Sequence, residues 1–185
     1  MSDEELMKLI HSDKEAAFTE LYARYKVPIY NYFCILTGPV LADEFMQDTF
    51  TKVLTKRMSF RFESKLKTWI WTIAKNTLRD HWRTTDHKMK NSFESLVTSE
   101  GEDIFEDPLE SAEVIMMKNV TQQQLKDCIN ELANEQKEIV LLHLESELSN
   151  QEIADLSKLS VGAIKSVLFR SKEKLIDCFK RGGHL

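Results

Sequence analysis

The sequence has few of the residues that interrupt helices and no stretch that could cross a membrane. Five glycines and three prolines occur among 185 residues, which favours mostly helical structure. No apolar run approaches the roughly 20 residues needed to span a bilayer. The N-terminus, MSDEELMKLI, is acidic and lacks the positive start of a signal peptide. We therefore expect a cytoplasmic protein that does not insert directly into a membrane.

Residues that hold metals or carry out catalysis are also scarce. The three cysteines, Cys34, Cys128 and Cys178, are far apart, and no pair has the spacing of a zinc site or redox motif. We expect three reduced, partly buried thiols. The five histidines show no metal-ligand spacing, and no glycine-rich phosphate loop or nucleophile motif occurs. The sequence therefore predicts no enzyme activity, no cofactor, no metal and no small-molecule substrate.

The net charge of −5 argues at first against a nucleic-acid binder, but its distribution argues for one. Residues 51–90 contain 11 Lys or Arg against 3 Asp or Glu, and residues 160–185 contain 6 against 2. Residues 91–118, in contrast, contain 1 against 8. Two basic regions are thus separated by an acidic one, and the net charge of the whole chain, −5, does not reveal either of them.

Apolar residues recur at helical spacing in most of the chain, and we find no strand pattern or repeat. Helices are predicted over residues 3–37, 42–56, 68–83, 108–132 and 134–145, with Leu6, Leu9 and Ile10 as the first apolar stripe. Two more begin at Ser149 and Ser160, where Ser149 and Glu152 form a capping box. The prediction is an all-α protein with helical domains at 1–90 and 108–185, joined by an acidic flexible linker at 91–107.

The stretch TWIWTIAKNTLRDHWR, residues 68–83, has two different sides on a helical wheel. The core side consists of Ile70, Ile73, Ala74, Thr77 and Leu78. The opposite side consists of Thr72, Lys75, Asn76, Arg79 and Arg83, and its cations could hold a phosphate backbone while Asn76 could read a base edge. We assign Trp71 to the core and leave Trp82 open between core packing and base stacking.

The segment SNQEIADLSKLSVGAIKSVLFR, residues 149–170, predicts a helix-turn-helix. Its apolar back contains Ile153, Ala154, Leu156, Val161, Ile164 and Leu168, continued by Leu175. Its front contains Ala163, Lys165, Ser166, Phe169 and Arg170, with Lys172 beside them. Small, polar and cationic side chains of this kind fit the major groove. An ordinary helical hairpin with solvated charges is the alternative.

Taken in order, these blocks resemble the extracytoplasmic-function (ECF) sigma factors, the two-domain promoter-recognition subunits of bacterial RNA polymerase. The resemblance covers nearly the whole chain. It rests on AAFTELYARYKVPIYNYF (16–33), ADEFMQDTF (42–50), SFRFESKLKTW (59–69), WIWTIAKNTLRDHWR (69–83), ELANEQKEIVLLHL (131–144) and LSNQEIADLSKLSVGAIKSVLFR (148–170). It implies an alternative sigma factor, responsive to stress or a signal and held by an anti-sigma factor.

The resemblance also implies a role for each block. The acidic helix would grip the coiled coil on the clamp of the largest polymerase subunit through Asp43, Glu44, Gln47 and Asp48, and the second domain would meet the flap of the second-largest subunit. Minus-ten DNA would be bound by Phe62, Glu63, Ser64, Lys65, Lys75, Asn76, Arg79 and Arg83. For Phe60 we expect a core residue that anchors the loop, with stacking on a base as the alternative. Minus-thirty-five DNA would be bound by Ala163, Lys165, Ser166, Phe169 and Arg170.

Several positions depart from the family pattern. Val167 stands where an arginine is usual, which predicts a missing phosphate or base contact, and Ser157-Lys158 replaces Leu-Gly at the turn. Ala133 replaces proline, and TTDHKMK after Arg83 is thinner than the usual basic run. These departures leave two alternatives: a sigma-like interaction protein without full promoter activity, and a stand-alone helix-turn-helix regulator.

Overall fold

A computed structural model describes residues 1–85 and 122–182, with side chains described for 1–83 and 123–182. The chain divides into two compact units, Met1–Lys90 and Asn91–Leu185. Every regular element in the described ranges is a helix, which confirms the all-α prediction. None of these helices is both long enough and apolar enough to cross a bilayer. The predicted linker at 91–107 and the predicted helix start at 108 lie outside the described residues.

The described part of the first unit contains four α-helices: α1 (Asp3–His11), α2 (Glu15–Thr37), α3 (Pro39–Thr55) and α4 (Leu66–Thr85), with a 3-10 helix at Arg57–Ser59. Ser2 and Glu5 cap α1 reciprocally, because each side chain binds the other's backbone N–H. Gly38 separates α2 from α3 at a φ of 86°, a conformation that glycine adopts without strain. Pro39 then occupies the first position of α3, where no hydrogen-bond donor is needed.

Aromatic side chains from α2, α3 and α4 form the core of the first unit. Tyr32 meets Trp71 with ring centroids 5.4 Å apart, and Phe33 meets Phe45 at 5.5 Å. Trp71 is 1% exposed, so its predicted core role is confirmed. The predicted stripe on α1 is wrong at one position, since Met7 is buried while Leu9 is 37% exposed.

The described part of the second unit also contains four α-helices: α5 (Gln122–Asn130), α6 (Asn134–Ser146), α7 (Asn150–Ser157) and α8 (Val161–Arg181). The predicted capping box of Ser149 and Glu152 begins α7, and the hydroxyl of Ser160 accepts from the N–H of Ala163 to begin α8. Between them Lys158 ends α7 at φ 58° and ψ 38°, in the left-handed region. The two helices pack on each other as a helix-turn-helix.

The expectation of three reduced thiols is wrong for two of the cysteines. A disulfide joins Cys128 of α5 to Cys178 of α8, with Cα atoms 5.8 Å apart. The two residues are 50 positions apart in the sequence, and only the packing of α5 on α8 brings them together. Cys34, in the first unit, is a free cysteine.

Candidate nucleic-acid interface and polymerase-docking surface

The loop between the 3-10 helix and α4, residues 60–65, has one aromatic residue in the core and one at the surface. Phe60 is 3% exposed and packs on Trp69, with ring centroids 5.3 Å apart. This confirms Phe60 as the residue that anchors the loop. Phe62 is 37% exposed and contacts Phe60 at 4.8 Å. The buried ring of Phe60 therefore anchors the loop, and part of the Phe62 ring is exposed to solvent.

Phe62 has an unusual backbone conformation for a bulky residue. Its φ is 59°, in the left-handed region where a side chain with a Cβ is strained. Its ring contacts His11 at a centroid distance of 5.3 Å, and the ammonium group of Lys8 lies 5.8 Å from the ring centroid. Strain of this kind persists where surrounding contacts hold it, and it clusters at binding sites.

The other predicted loop contacts, Glu63, Ser64 and Lys65, are all exposed. They lie between Phe62 and the first residue of α4, so the loop presents an aromatic ring, a carboxylate, a hydroxyl and an ammonium group in four consecutive residues. This combination supplies a stacking surface together with polar atoms that can bind the edge of an unpaired base.

Helix α1 holds both ends of this loop. At the end of the loop, the carboxylate of Glu4 accepts a hydrogen bond from the N–H of Leu66 at 3.1 Å. At its start, Nε2 of His11 lies 2.7 Å from the carbonyl oxygen of Arg57, to which its N–H can donate. The Arg57 guanidinium also pairs with Asp13 at 2.6 Å. The sequence did not reveal this support, because its partners lie 44 to 62 residues apart.

Helix α1 is tied in turn to α2 through Asp3. Its carboxylate accepts hydrogen bonds from the Tyr25 hydroxyl and from the Arg24 guanidinium, the latter at 2.7 Å. Burial, and then the hydrogen bond to Asp3, raise the pKa of Tyr25 well above its ordinary value. The Tyr25 hydroxyl therefore remains protonated and donates to Asp3 at neutral pH. Helix α2 thus holds α1, which in turn holds the loop.

One side of α4 is buried and the opposite side carries cations, as the helical wheel predicts. Ile70, Ala74 and Leu78 are fully buried, while Arg79 and Arg83 are exposed. Lys75 and Asn76 are half-buried at the border. Positions 75, 79 and 83 are four residues apart and therefore lie along one side of the helix. Trp82 is half-buried, which leaves both of its predicted roles open.

The predicted polymerase-binding residues of α3 divide into two groups. Asp43, Glu44 and Gln47 are exposed. Asp48 is half-buried and pairs with Lys52 at 2.7 Å, and the same ammonium group donates to the Thr77 hydroxyl of α4 at 3.0 Å. The structure thus presents the first three residues to a partner and engages Asp48 in joining α3 to α4.

The predicted duplex-reading face of α8 is accessible but contains fewer cations than the sequence suggested. Phe169 and Arg170 are exposed, and the three other predicted contacts, Ala163, Lys165 and Ser166, are half-buried. Lys172, expected beside this face, is buried. Val167 is 3% exposed, so the side chain at this position packs in the core. A buried valine offers no group to DNA, and the missing contact at this position stays a prediction.

Comparison with protein families gives two matches, one in each unit. The model of Sigma-70 region 2 matches residues 21–88, and the model of Sigma-70 region 4 matches residues 122–175. The first contains α3, the loop and α4, and the second contains all four helices of the second unit except the end of α8. Together the matches cover about two thirds of the chain.

Relatives with similarity over nearly the full length are sigma factors. The RNA polymerase sigma factor YlaC of Bacillus subtilis is 28% identical over 157 residues, which are 84% of this chain and 88% of YlaC. The ECF RNA polymerase sigma factor SigM of the same organism is 26% identical over 164 residues, which are 88% of this chain and 95% of SigM. The chain belongs to the ECF group of RNA polymerase sigma factors, which are transcription initiation factors.

Two solved structures share the fold. The sigma factor RpoE of Bartonella quintana, in complex with the anti-sigma factor NepR, matches with a TM-score of 0.64 and 22% identity, covering 88% of this chain and 96% of that one. CnrH, in complex with the cytosolic domain of CnrY, matches with a TM-score of 0.67 and 20% identity, covering 98% and 99%. At these identities the likeness supports the fold.

Proposed function

We propose that this sigma factor binds the core enzyme of RNA polymerase, holds the minus-ten element as an opened single strand with its first unit, and binds the minus-thirty-five element as duplex with its second. The observation that carries the proposal is the surface formed by loop 60–65 and α4. An exposed phenyl ring precedes a helix whose cations lie along one side. The protein itself performs no catalytic step.

The first unit supplies the interactions of a single-strand binding site. Phe62 stacks on an extruded base, while Glu63, Ser64 and Lys65 contact its edge. The three cations Lys75, Arg79 and Arg83 follow the backbone phosphates, and Asn76 reads a neighbouring base edge. Because Phe62 is already held by α1, little conformational freedom is lost when a base binds.

The energies involved limit how much DNA such a surface can open. Separating duplex DNA disrupts stacking of about 1.4 kcal/mol per base-pair step. Stacking an extruded base on an aromatic side chain contributes roughly 1–3 kcal/mol. One partly exposed phenyl ring therefore compensates for only one or two steps. We infer that the protein opens a short bubble and requires a closely matched promoter.

Docking on polymerase occurs through the exposed carboxylates of α3. Asp43, Glu44 and Gln47 contact the clamp coiled coil of the largest subunit, while Asp48 acts indirectly by holding α3 against α4 through Lys52. The second unit meets the flap of the second-largest subunit. It places the first turns of α8 in the major groove, where Ala163, Lys165, Ser166, Phe169 and Arg170 contact the minus-thirty-five element.

An anti-sigma factor is the proposed regulator, and the cytoplasm the proposed location. RpoE was solved bound to an anti-sigma factor and CnrH bound to a cytosolic domain of another protein, and both share this fold. A partner of that kind would cover the α3 surface and so prevent polymerase from binding.

Transcription in vitro with purified core polymerase on a genomic promoter library tests the proposal. We expect initiation at a small set of promoters, lost in the double variant R79A/R83A and retained in Lys14→Ala, which removes an exposed cation outside the interface. Glu44→Ala should weaken polymerase binding, whereas Glu15→Ala should not. Polymerase binding without initiation would favour the sigma-like interaction protein, and duplex binding without polymerase would favour the stand-alone regulator.

A further inference from the structure

The disulfide of the second unit lies where it fixes the end of the DNA-reading helix. Cys178 is in the last turn of α8, whose first turns carry the predicted minus-thirty-five contacts. Cys128 is in α5, the first helix of the described part of this unit. Their Cα separation of 5.8 Å is typical of a disulfide, so the bond fits the backbone as folded.

Noncovalent contacts also join this part of the unit. Helices α5 and α8 pack on each other, and Ile129 and Leu132 are buried. Arg181 of α8 pairs with Glu131, just after α5, at 2.6 Å, but both side chains are exposed, and exposed pairs contribute little to stability. The disulfide therefore adds a covalent restraint between α5 and α8.

The bond borders two surface pockets, although both cysteines are buried. A pocket of about 540 Å³ is lined by Cys128 and Leu132 together with three cations and two carboxylates, Lys174, Lys180, Arg181, Glu131 and Asp177. A second, of about 270 Å³, is lined by both cysteines. Cys128 thus lines both pockets and Cys178 only one. The pockets give a small thiol or disulfide access to the bond, and exchange proceeds by attack of a thiolate on a disulfide sulfur.

We propose that Cys128 and Cys178 are a redox-active pair that exchanges with low-molecular-weight thiols and disulfides in the folded protein. In the cytoplasm, where we place the protein, disulfides are generally transient or redox-sensing. This property is additional to promoter recognition, because the redox state of the cell would then determine the stability of the second unit.

We place the first attack at Cys128 because it lines both pockets and Cys178 lines one. Both residues are largely buried, at 4% and 9% exposure respectively. In oxidation, the Cys128 thiolate attacks one sulfur of a small disulfide and expels one small thiolate, leaving a mixed disulfide. The Cys178 thiolate then attacks the Cys128 sulfur, forms the protein disulfide and expels the second small thiolate. The protons of the two cysteines end on the two small thiols, so the protein loses two electrons and the small disulfide gains them. Reduction reverses these steps.

The full chain carrying Cys34→Ser provides the test, because it retains only the proposed pair and replaces neither of its members. The protein is equilibrated in buffers of reduced and oxidised glutathione, free thiols are alkylated, and linked peptides are measured by mass spectrometry. We expect reversible formation of the Cys128–Cys178 bond while circular dichroism shows a folded chain. We also expect reduction to lower the melting temperature of the second unit by about 10 °C or more.

Two single variants test the order of attack. With Cys178→Ser, the mixed disulfide on Cys128 cannot be resolved, so glutathione should accumulate there; with Cys128→Ser, Cys178 should remain largely a thiol. The proposal is overturned if the bond does not form in oxidised glutathione, or forms but can be reduced only after denaturation. Equal melting temperatures for the oxidised and reduced chains would also overturn it. Because these measurements involve neither DNA nor polymerase, they stand or fall separately from the proposed function.

Discussion

The carboxylate of Glu4 accepts a hydrogen bond from the backbone N–H of Leu66, 62 residues further along the chain, at 3.1 Å. Leu66 is the first residue of α4, where backbone donors have no partner within the helix and a negative charge is favourable. Helix α1 therefore fixes the point at which the loop predicted to contact DNA ends and the cationic helix begins. The predicted promoter-opening surface depends on a residue outside it.

Replacing Glu4 with alanine should lower the free energy of unfolding of the first unit by about 1 kcal/mol, because a charged helix cap is lost. It should also weaken promoter opening more than polymerase binding, since the α3 surface is unchanged. Denaturant unfolding and permanganate reactivity of unpaired thymines measure the two effects. Glu4→Gln retains an oxygen acceptor and should lose less of both. Unaltered opening by Glu4→Ala would show that the loop does not depend on α1.

Phe62 allows the strain in the loop to be separated from the function of its ring. Phe62→Gly removes both the ring and the strain at positive φ, whereas Phe62→Ala removes the ring alone. The glycine variant should therefore be more stable than the alanine variant by about 1 kcal/mol. Both should lose promoter opening because neither can stack on a base. Thermal unfolding compares the variants, and permanganate reactivity checks the opening.

Local patterns in the sequence were sufficient to predict the features that depend on residues close together in the chain, such as helix faces and helix caps. The helical period of residues 68–83 correctly separates Trp71 from Arg79, and the spacing of Ser149 and Glu152 correctly marks the start of α7. Phe60 was likewise correctly predicted to be a buried anchor of the loop. Each of these depends on a helical period, a cap or a single apolar residue.

Features that depend on packing between distant segments could not be predicted in this way. The Cys128–Cys178 bond and the Glu4 contact each join residues at least 50 positions apart. The burial of Val167 was likewise not predicted, and this residue packs in the core of a unit in which α5, α6 and α7 all contact α8. The predicted stripe on α1 included Leu9, which is exposed, and left out Met7, which is buried. The buried side of a helix depends on what it packs against.

The cations of α4 should be detectable in the salt dependence of binding. For single-stranded DNA, each phosphate contact contributes about −0.7 to the slope of log K against log salt concentration. Arg79→Ala should reduce the slope by about 0.7 for holoenzyme bound to a single-stranded minus-ten oligonucleotide, whatever the sequence. Lys14→Ala should leave the slope unchanged. An unchanged slope in R79A/R83A would contradict the assigned phosphate contacts.

Asn76→Ala should instead relax the sequence preference at one base, by roughly 1–3 kcal/mol.

Lys158 tests whether the turn between α7 and α8 is strained. Its φ of 58° lies in the left-handed region, where glycine is favoured at a helix end, and its N–H still bonds to the carbonyl oxygens of Ala154 and Asp155. Lys158→Gly should stabilise the second unit by about 1 kcal/mol, which corresponds to a melting temperature higher by roughly 4–8 °C. Lys158→Ala keeps the strained conformation and should bring no such gain. Calorimetry of the full chain compares the melting temperatures of the two variants. If only the glycine variant lost binding to the minus-thirty-five element, backbone rigidity at this turn would matter more for duplex recognition than the charge of the lysine.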